Sequence, residues 1–199
     1  MDSSIKLTSS SDTLRIFIDT EFSDFINTDP ISIGLVAANG AEFYAENLDA
    51  DTSLASDFVR ANIWPLLKPE VYGMKQSELS ARLWCWLDEL PCKHFIVTID
   101  YHTDWQIMHY FLDNQAHPKF HSIQNVFHEI LAWSNRQIQI MNGTPHDWQQ
   151  MYNRLQNNFA YGVQDYFART KEIPHHALSD AKANREGYNR LTREFGMPL

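Results

Sequence analysis

Apolar and polar positions along this chain follow two periods, and the changes between them mark out its elements. Leu14, Ile16, Phe17 and Ile18 form a nearly unbroken apolar run that predicts a buried first strand over 14–19. A polar stretch from Glu21 to Pro30 follows, with Asn27-Thr28-Asp29-Pro30 as its turn signal. Ile31 to Val36 predicts a second strand. Asn39-Gly40 is a two-residue hairpin signal, so Ala41 to Ala45 predicts a third strand antiparallel to the second. These three make an antiparallel meander. The first strand, being the most continuously apolar, is expected at the centre of the sheet.

The period then lengthens. Leu54, Phe58, Val59 and Ile63 predict a helix over 51–67, ended by Pro65. Leu79, Leu83, Trp84, Trp86, Leu87 and Leu90 predict a second over 75–90. Trp84 and Trp86 carry flat rings on which bases stack, but they stand within the apolar stripe and read as core. Phe95 to Ile99 is a β-branched fourth strand. It runs through Asp100-Tyr101-His102-Thr103-Asp104 into a helical period from Trp105 to Leu112. The pattern over 115–174 is weak. Residues 126–133 fit a strand or a helix, and Thr144 with Pro145 starts a helix that runs to Phe159. Aromatics and amides dominate there, in keeping with an elaboration of the fold or the lining of a substrate channel. Leu178, Ala181, Tyr188, Leu191 and Phe195 form the apolar face of a last helix. Strands and helices so mixed predict an α/β fold. No repeat or linker divides the chain, so 13–199 reads as one domain behind a polar, Ser-rich and disordered lead-in over 1–12.

Composition narrows the class. With 44% hydrophobic and 21% charged residues, the 199-residue chain is globular. No apolar run approaches the roughly 18 residues of a membrane span, and no basic-then-apolar secretory signal opens it. Two cysteines, Cys85 and Cys92, make neither a disulfide framework nor, by themselves, a zinc site, which predicts a cytoplasmic protein. A net charge of −9 argues against gripping long duplexes through many phosphates. It leaves room for an enzyme that handles one nucleic-acid end, since metal on a carboxylate cluster reverses the local field.

Candidate chemistry begins with Asp19 and Glu21. Two residues apart on a strand, they point to the same face. Crowded carboxylates at a buried strand end call for a cation or a proton. By itself the pair fits equally a divalent-metal site or a strand running into an acidic loop, and the rest of the chain must decide. Asp104 supplies a further carboxylate where a strand passes into a helix. Asp180 supplies another in the first turns of the last helix, five residues after His175.

In this order these residues resemble the DEDDh 3′–5′ exonucleases of the ribonuclease H-like superfamily. His175-His176-Ala177-Leu178-Ser179-Asp180-Ala181 is similar to the family's His-x-Ala-Leu-x-Asp-Ala, a spacing that selects His175 over His176. Phe17-Ile18-Asp19-Thr20-Glu21-Phe22 and Ile31-Ser32-Ile33-Gly34-Leu35-Val36 resemble a group of small bacterial stand-alone exoribonuclease-like proteins. The middle motif departs from the pattern. Asp100 stands where the family often has Asn, and Thr103 precedes Asp104, so Asp100 rivals Asp104 as the middle carboxylate.

The resemblance implies a mixed five-stranded sheet, the meander plus parallel strands, flanked by helices. It implies two Mg²⁺ or Mn²⁺ ions about 4 Å apart. Asp19 would bridge both, Glu21 and Asp180 would complete one site, and Asp104 would support the second ion through waters. His175 would be the general base. Phe22 and Thr20 would meet the substrate, with Phe22 equally readable as core. The implied partner is an RNA 3′ end or, as the rival, DNA. The product would be a nucleoside 5′-monophosphate, and relatives are often homodimers. A non-catalytic nucleic-acid-binding module on the same fold, or a phosphohydrolase of small nucleotides, are the competing readings.

Overall fold

The computed structural model describes residues 12–198. The expected lead-in, apart from Asp12, lies outside the described residues. Six strands form one sheet: β1 (Thr13–Phe22), β2 (Pro30–Ala37), β3 (Glu42–Asn47), β4 (Gly73–Met74), β5 (His94–Ile99) and β6 (Phe120–Asn125). Their order is β4-β3-β2-β1-β5-β6. β1 pairs antiparallel with β2 and β2 with β3, while β1–β5, β5–β6 and β3–β4 are parallel. The chain therefore has the mixed α/β architecture of ribonuclease H-like folds, with β1 inside the sheet.

The sheet holds six strands rather than five. β4 is only two residues long, too short to leave any periodic trace. β6, Phe-His-Ser-Ile-Gln-Asn, is an edge strand whose residues are mostly half-buried, so it lacks apolar alternation. Residues 126–133 are helical. Asn125 caps them, its side chain accepting from the amides of Phe127 and His128, and α5 (Val126–Ile140) runs on from there.

The expected helix over 51–67 is broken into pieces. Ser56 starts α1 (Asp57–Asn62) by accepting from the Val59 amide, and a 3₁₀ turn at Trp64–Leu66 forms around Pro65, which has no N–H to continue the ladder. The short α2 (Pro69–Tyr72) follows, then α3 (Gln76–Glu89) and α4 (His102–Phe111). Thr144 and Asp147 form a reciprocal capping box at the start of α6 (Pro145–Thr170), which continues well past Phe159. The last helix is α7 (Ala177–Phe195). None of the helices among the described residues is long and apolar enough to cross a membrane.

Two cores lie on opposite faces of β1. Leu14, Ile16 and Ile18 pack with Leu79, Leu83 and Leu87 of α3 and Met108 and Phe111 of α4. Phe17 packs with Val126 and Ile130 of α5, Leu155 and Phe159 of α6, and Tyr188 of α7. Strand alternation assigns each core its set. On the Phe17 side, the Arg15 guanidinium donates to Glu129 (3.0 Å) and to Thr98 Oγ1 (2.8 Å) and lies 4.4 Å over the Tyr188 ring. This buried ion pair ties β1 to α5. Trp84 and Trp86 are half-buried against the first core.

Candidate functional site

Asp19 and Glu21 stand at the carboxyl end of β1, on the Phe17 face. Asp19 pairs with Gly34 on β2. A Cβ at Gly34 would run into the backbone of Ala177 and Leu178, so the missing side chain lets the first turn of α7 settle directly on the sheet. That close approach brings Asp180 to Asp19 and Glu21. One carboxylate oxygen from each of the three lies within 4.8 Å of the other two.

A second group forms from the other side. β5 runs parallel to β1, with Thr98 level with Phe17, and it stops at Ile99 while β1 runs on to Phe22. The turn after β5 carries Asp100, and the first turn of α4 carries Asp104. Oxygens of Asp19, Asp100 and Asp104 again lie within 4.8 Å of one another. Asp19 thus belongs to two carboxylate triads, and both rivals for the middle motif are present in one of them.

Thr20 points to the opposite face from Asp19 and Glu21. It is buried, and its amide (3.1 Å) and hydroxyl (2.8 Å) both donate to Oδ1 of Asp104. The other oxygen, Oδ2, is buried without a hydrogen-bond partner among the described residues. Such an oxygen is costly unless a cation or proton meets it.

The electrostatics follow from crowding. Burial above all, then the charges of Asp104, Asp180, Glu21 and Asp100, holds the Asp19 carboxyl well above the ordinary carboxylate range. Burial, then Asp180 and Asp104, pushes Glu21 up to about 8. Asp104 rises to about 8 through burial and Asp100, against the lowering by the Thr20 hydroxyl. Asp180 rises to about 7, mainly through burial, although the His175 amide donates to its Oδ2 at 2.8 Å.

The two histidines differ in their surroundings. His175 is exposed and has a left-handed backbone (φ 65°), and its ring meets Phe58 edge-on at 5.1 Å. A left-handed conformation in a non-glycine residue is sparsely populated and marks a constrained turn. His176 is half-buried and stacks on Tyr44 with centroids 4.4 Å apart. Burial lowers its pKa, which favours the neutral ring.

Three aromatic rings cluster together, two of them next in the chain to Glu21 and Asp100. Half-buried Phe22 meets Phe25 edge-on at 5.3 Å, and Phe25 meets Tyr101 at 6.0 Å. Phe25 is 76% exposed and Tyr101 52%. Phe25 escapes a reading of the sequence because it lies in a polar turn. The available signal is the pair Phe25-Ile26, two large apolar residues that belong to no periodic stripe.

No protein-family model matches the chain. Over 71 residues, 35% of this chain, it is 38% identical to a protein named 3′-5′ exoribonuclease from Mycobacterium tuberculosis. The same figures hold for a protein of that name from a second strain. The chain is similar to 3′-5′ exoribonucleases. It spans 42% of the length of these relatives.

Proposed function

We propose that the chain is a metal-dependent 3′–5′ exoribonuclease of the DEDDh type. On this reading it trims single-stranded or overhanging RNA 3′ ends and releases nucleoside 5′-monophosphates. The observation that carries the reading is the pair of carboxylate triads sharing Asp19.

The residues fit hard divalent cations. The donors are all carboxylate oxygens, they are crowded near a strand end, and Oδ2 of Asp104 is buried without a donor among the described residues. Asp19, Glu21 and Asp180 would hold one ion, and Asp19 with Asp104 the other. Bound Mg²⁺ or Mn²⁺ supplies an activated water and stabilises charge on the phosphate and the leaving oxygen. His175, exposed beside Asp180, takes a proton from the attacking water. The bond between phosphorus and the 3′ oxygen of the preceding nucleotide breaks, leaving a shortened chain with a free 3′ hydroxyl. Phe22, Phe25 and Tyr101 offer faces for the terminal bases. Thr20 acts through Asp104.

Incubation with 5′-labelled single-stranded RNA, overhung duplex RNA and DNA tests this reading. With Mg²⁺ or Mn²⁺ the RNA is expected to shorten from its 3′ end as a ladder. Chelator and Asp19→Ala abolish the ladder. Intact substrates with either metal would sink the enzymatic reading, and DNA cleaved in preference to RNA would reassign the substrate.

A further inference from the structure

Asp100, the rival of Asp104 for the middle motif, is the acidic residue left over at the site once Asp104 takes that place. β1 and β5 run parallel with Phe17 level with Thr98, and the turn that follows Ile99, the last residue of β5, places Asp100 near Asp19, while β1 runs on to Phe22. Asn125 Nδ2 donates to the backbone carbonyl of Asp100 at 2.9 Å, which pins the turn to the end of β6. The carboxylate itself takes no hydrogen bond among the described residues, and α4 has Tyr101 as its N-cap with no side-chain cap. Asp100 therefore does no capping work that would explain an acid there.

The neighbouring Asp104 points to a ligand independently. Only 3% of its surface is exposed. Thr20 saturates Oδ1 with two donors, which leaves Oδ2 as the oxygen available to the cluster, buried and without a partner. Oxygens of Asp19, Asp100 and Asp104 already stand within 4.8 Å of one another.

We propose that Asp100 is a direct ligand, together with Asp19 and Asp104, of the second divalent ion. That half of the site is then a three-carboxylate cage matching Asp19, Glu21 and Asp180, instead of one carboxylate acting through waters. The proposal rests on the two-ion reading of the same site. Its consequence is that the second ion binds before RNA arrives, because protein carboxylates supply the charge that substrate phosphate would otherwise provide.

Mn²⁺ titration of the full chain without RNA, by calorimetry and by electron paramagnetic resonance, tests this. The wild type is expected to take up two ions. Asp100→Asn is expected to retain one and to bind the other at least tenfold more weakly. It should also need at least tenfold more Mn²⁺ for half-maximal cleavage of labelled RNA, with excess metal restoring the rate. Melting in chelator checks the fold, and Asp100→Ser replaces Asp100→Asn if the latter is unstable. A variant that titrates like the wild type overturns the proposal and leaves the exoribonuclease reading intact. So does a wild type that takes up one ion without RNA. Two ions in the wild type and one in the variant, with no RNA cleaved, uphold the proposal and sink the exoribonuclease reading.

Discussion

His175 and His176 are neighbours with opposite surroundings, and the proposed base is the exposed one. His176 stacks its ring on Tyr44, and burial lowers its pKa. His175 is exposed at a constrained turn, with its amide on Asp180. His175→Ala should lower RNA turnover by about 10²–10⁴-fold, the usual contribution of a general base, while Mn²⁺ binding persists. His176→Ala should leave turnover near wild type and lower stability by about 0.5–1.5 kcal/mol for the lost stack. Damage to turnover from His176→Ala alone would place the base at the wrong residue. At this scale the spacing to Asp180 was legible in the sequence. The side chain of Thr20 was not, because strand alternation says only that it leaves the Asp19 face, not that Asp104 waits on the other side.

Among the elements, the seat of α7 on β2 governs the site. Gly34 stands opposite Asp19, under the backbone of Ala177 and Leu178. Gly34→Ala meets main chain rather than a yielding side chain, so the helix must lift. A loss of about 1–3 kcal/mol is expected, as for other overpacked sites. The displaced Asp180 should also weaken Mn²⁺ binding. Melting curves and metal titration of the variant check this, and unchanged values in both would show that the helix start is free to shift. α6 and α7 cross in a similar way, Gly162 against Gly187, where a Cβ at Gly162 would fall 2.7 Å from the Gly187 Cα. Elements with strong periods, β1, β2, α3 and α7, could be read from the chain. β4 and β6 could not, because pairing at a sheet edge leaves little apolar pattern.

For the whole molecule, the crowded acids link stability to pH and metal. In the metal-free fold Glu21 and Asp104 are pushed up to about 8 and Asp180 to about 7, with burial as the leading cause in each. An unfolded chain releases these protons near pH 4. Between about pH 4.5 and 8 the fold therefore binds more protons than the unfolded chain, and its stability falls as pH rises. Melting temperatures in chelator should drop steadily from about pH 5 to 8. Mg²⁺ or Mn²⁺ should oppose that drop by replacing protons with cations. A flat profile in chelator would mean that burial and crowding do not hold protons on these acids in the fold.

The sequence by itself determined the central strand, the face shared by Asp19 and Glu21, and the spacing of His175 to Asp180. The first two follow from the apolar run and the two-residue period of a strand, and the third was read from its resemblance to the DEDDh motif. Only the tertiary structure decided how the acids divide into two triads that share Asp19. It also brought Asp100 together with Asp104, turned Thr20 onto Asp104, and set Phe25 against Tyr101. These placements depend on which strand ends lie side by side and how closely a helix can rest on a glycine. Such long-range geometry leaves no periodic signature in the chain.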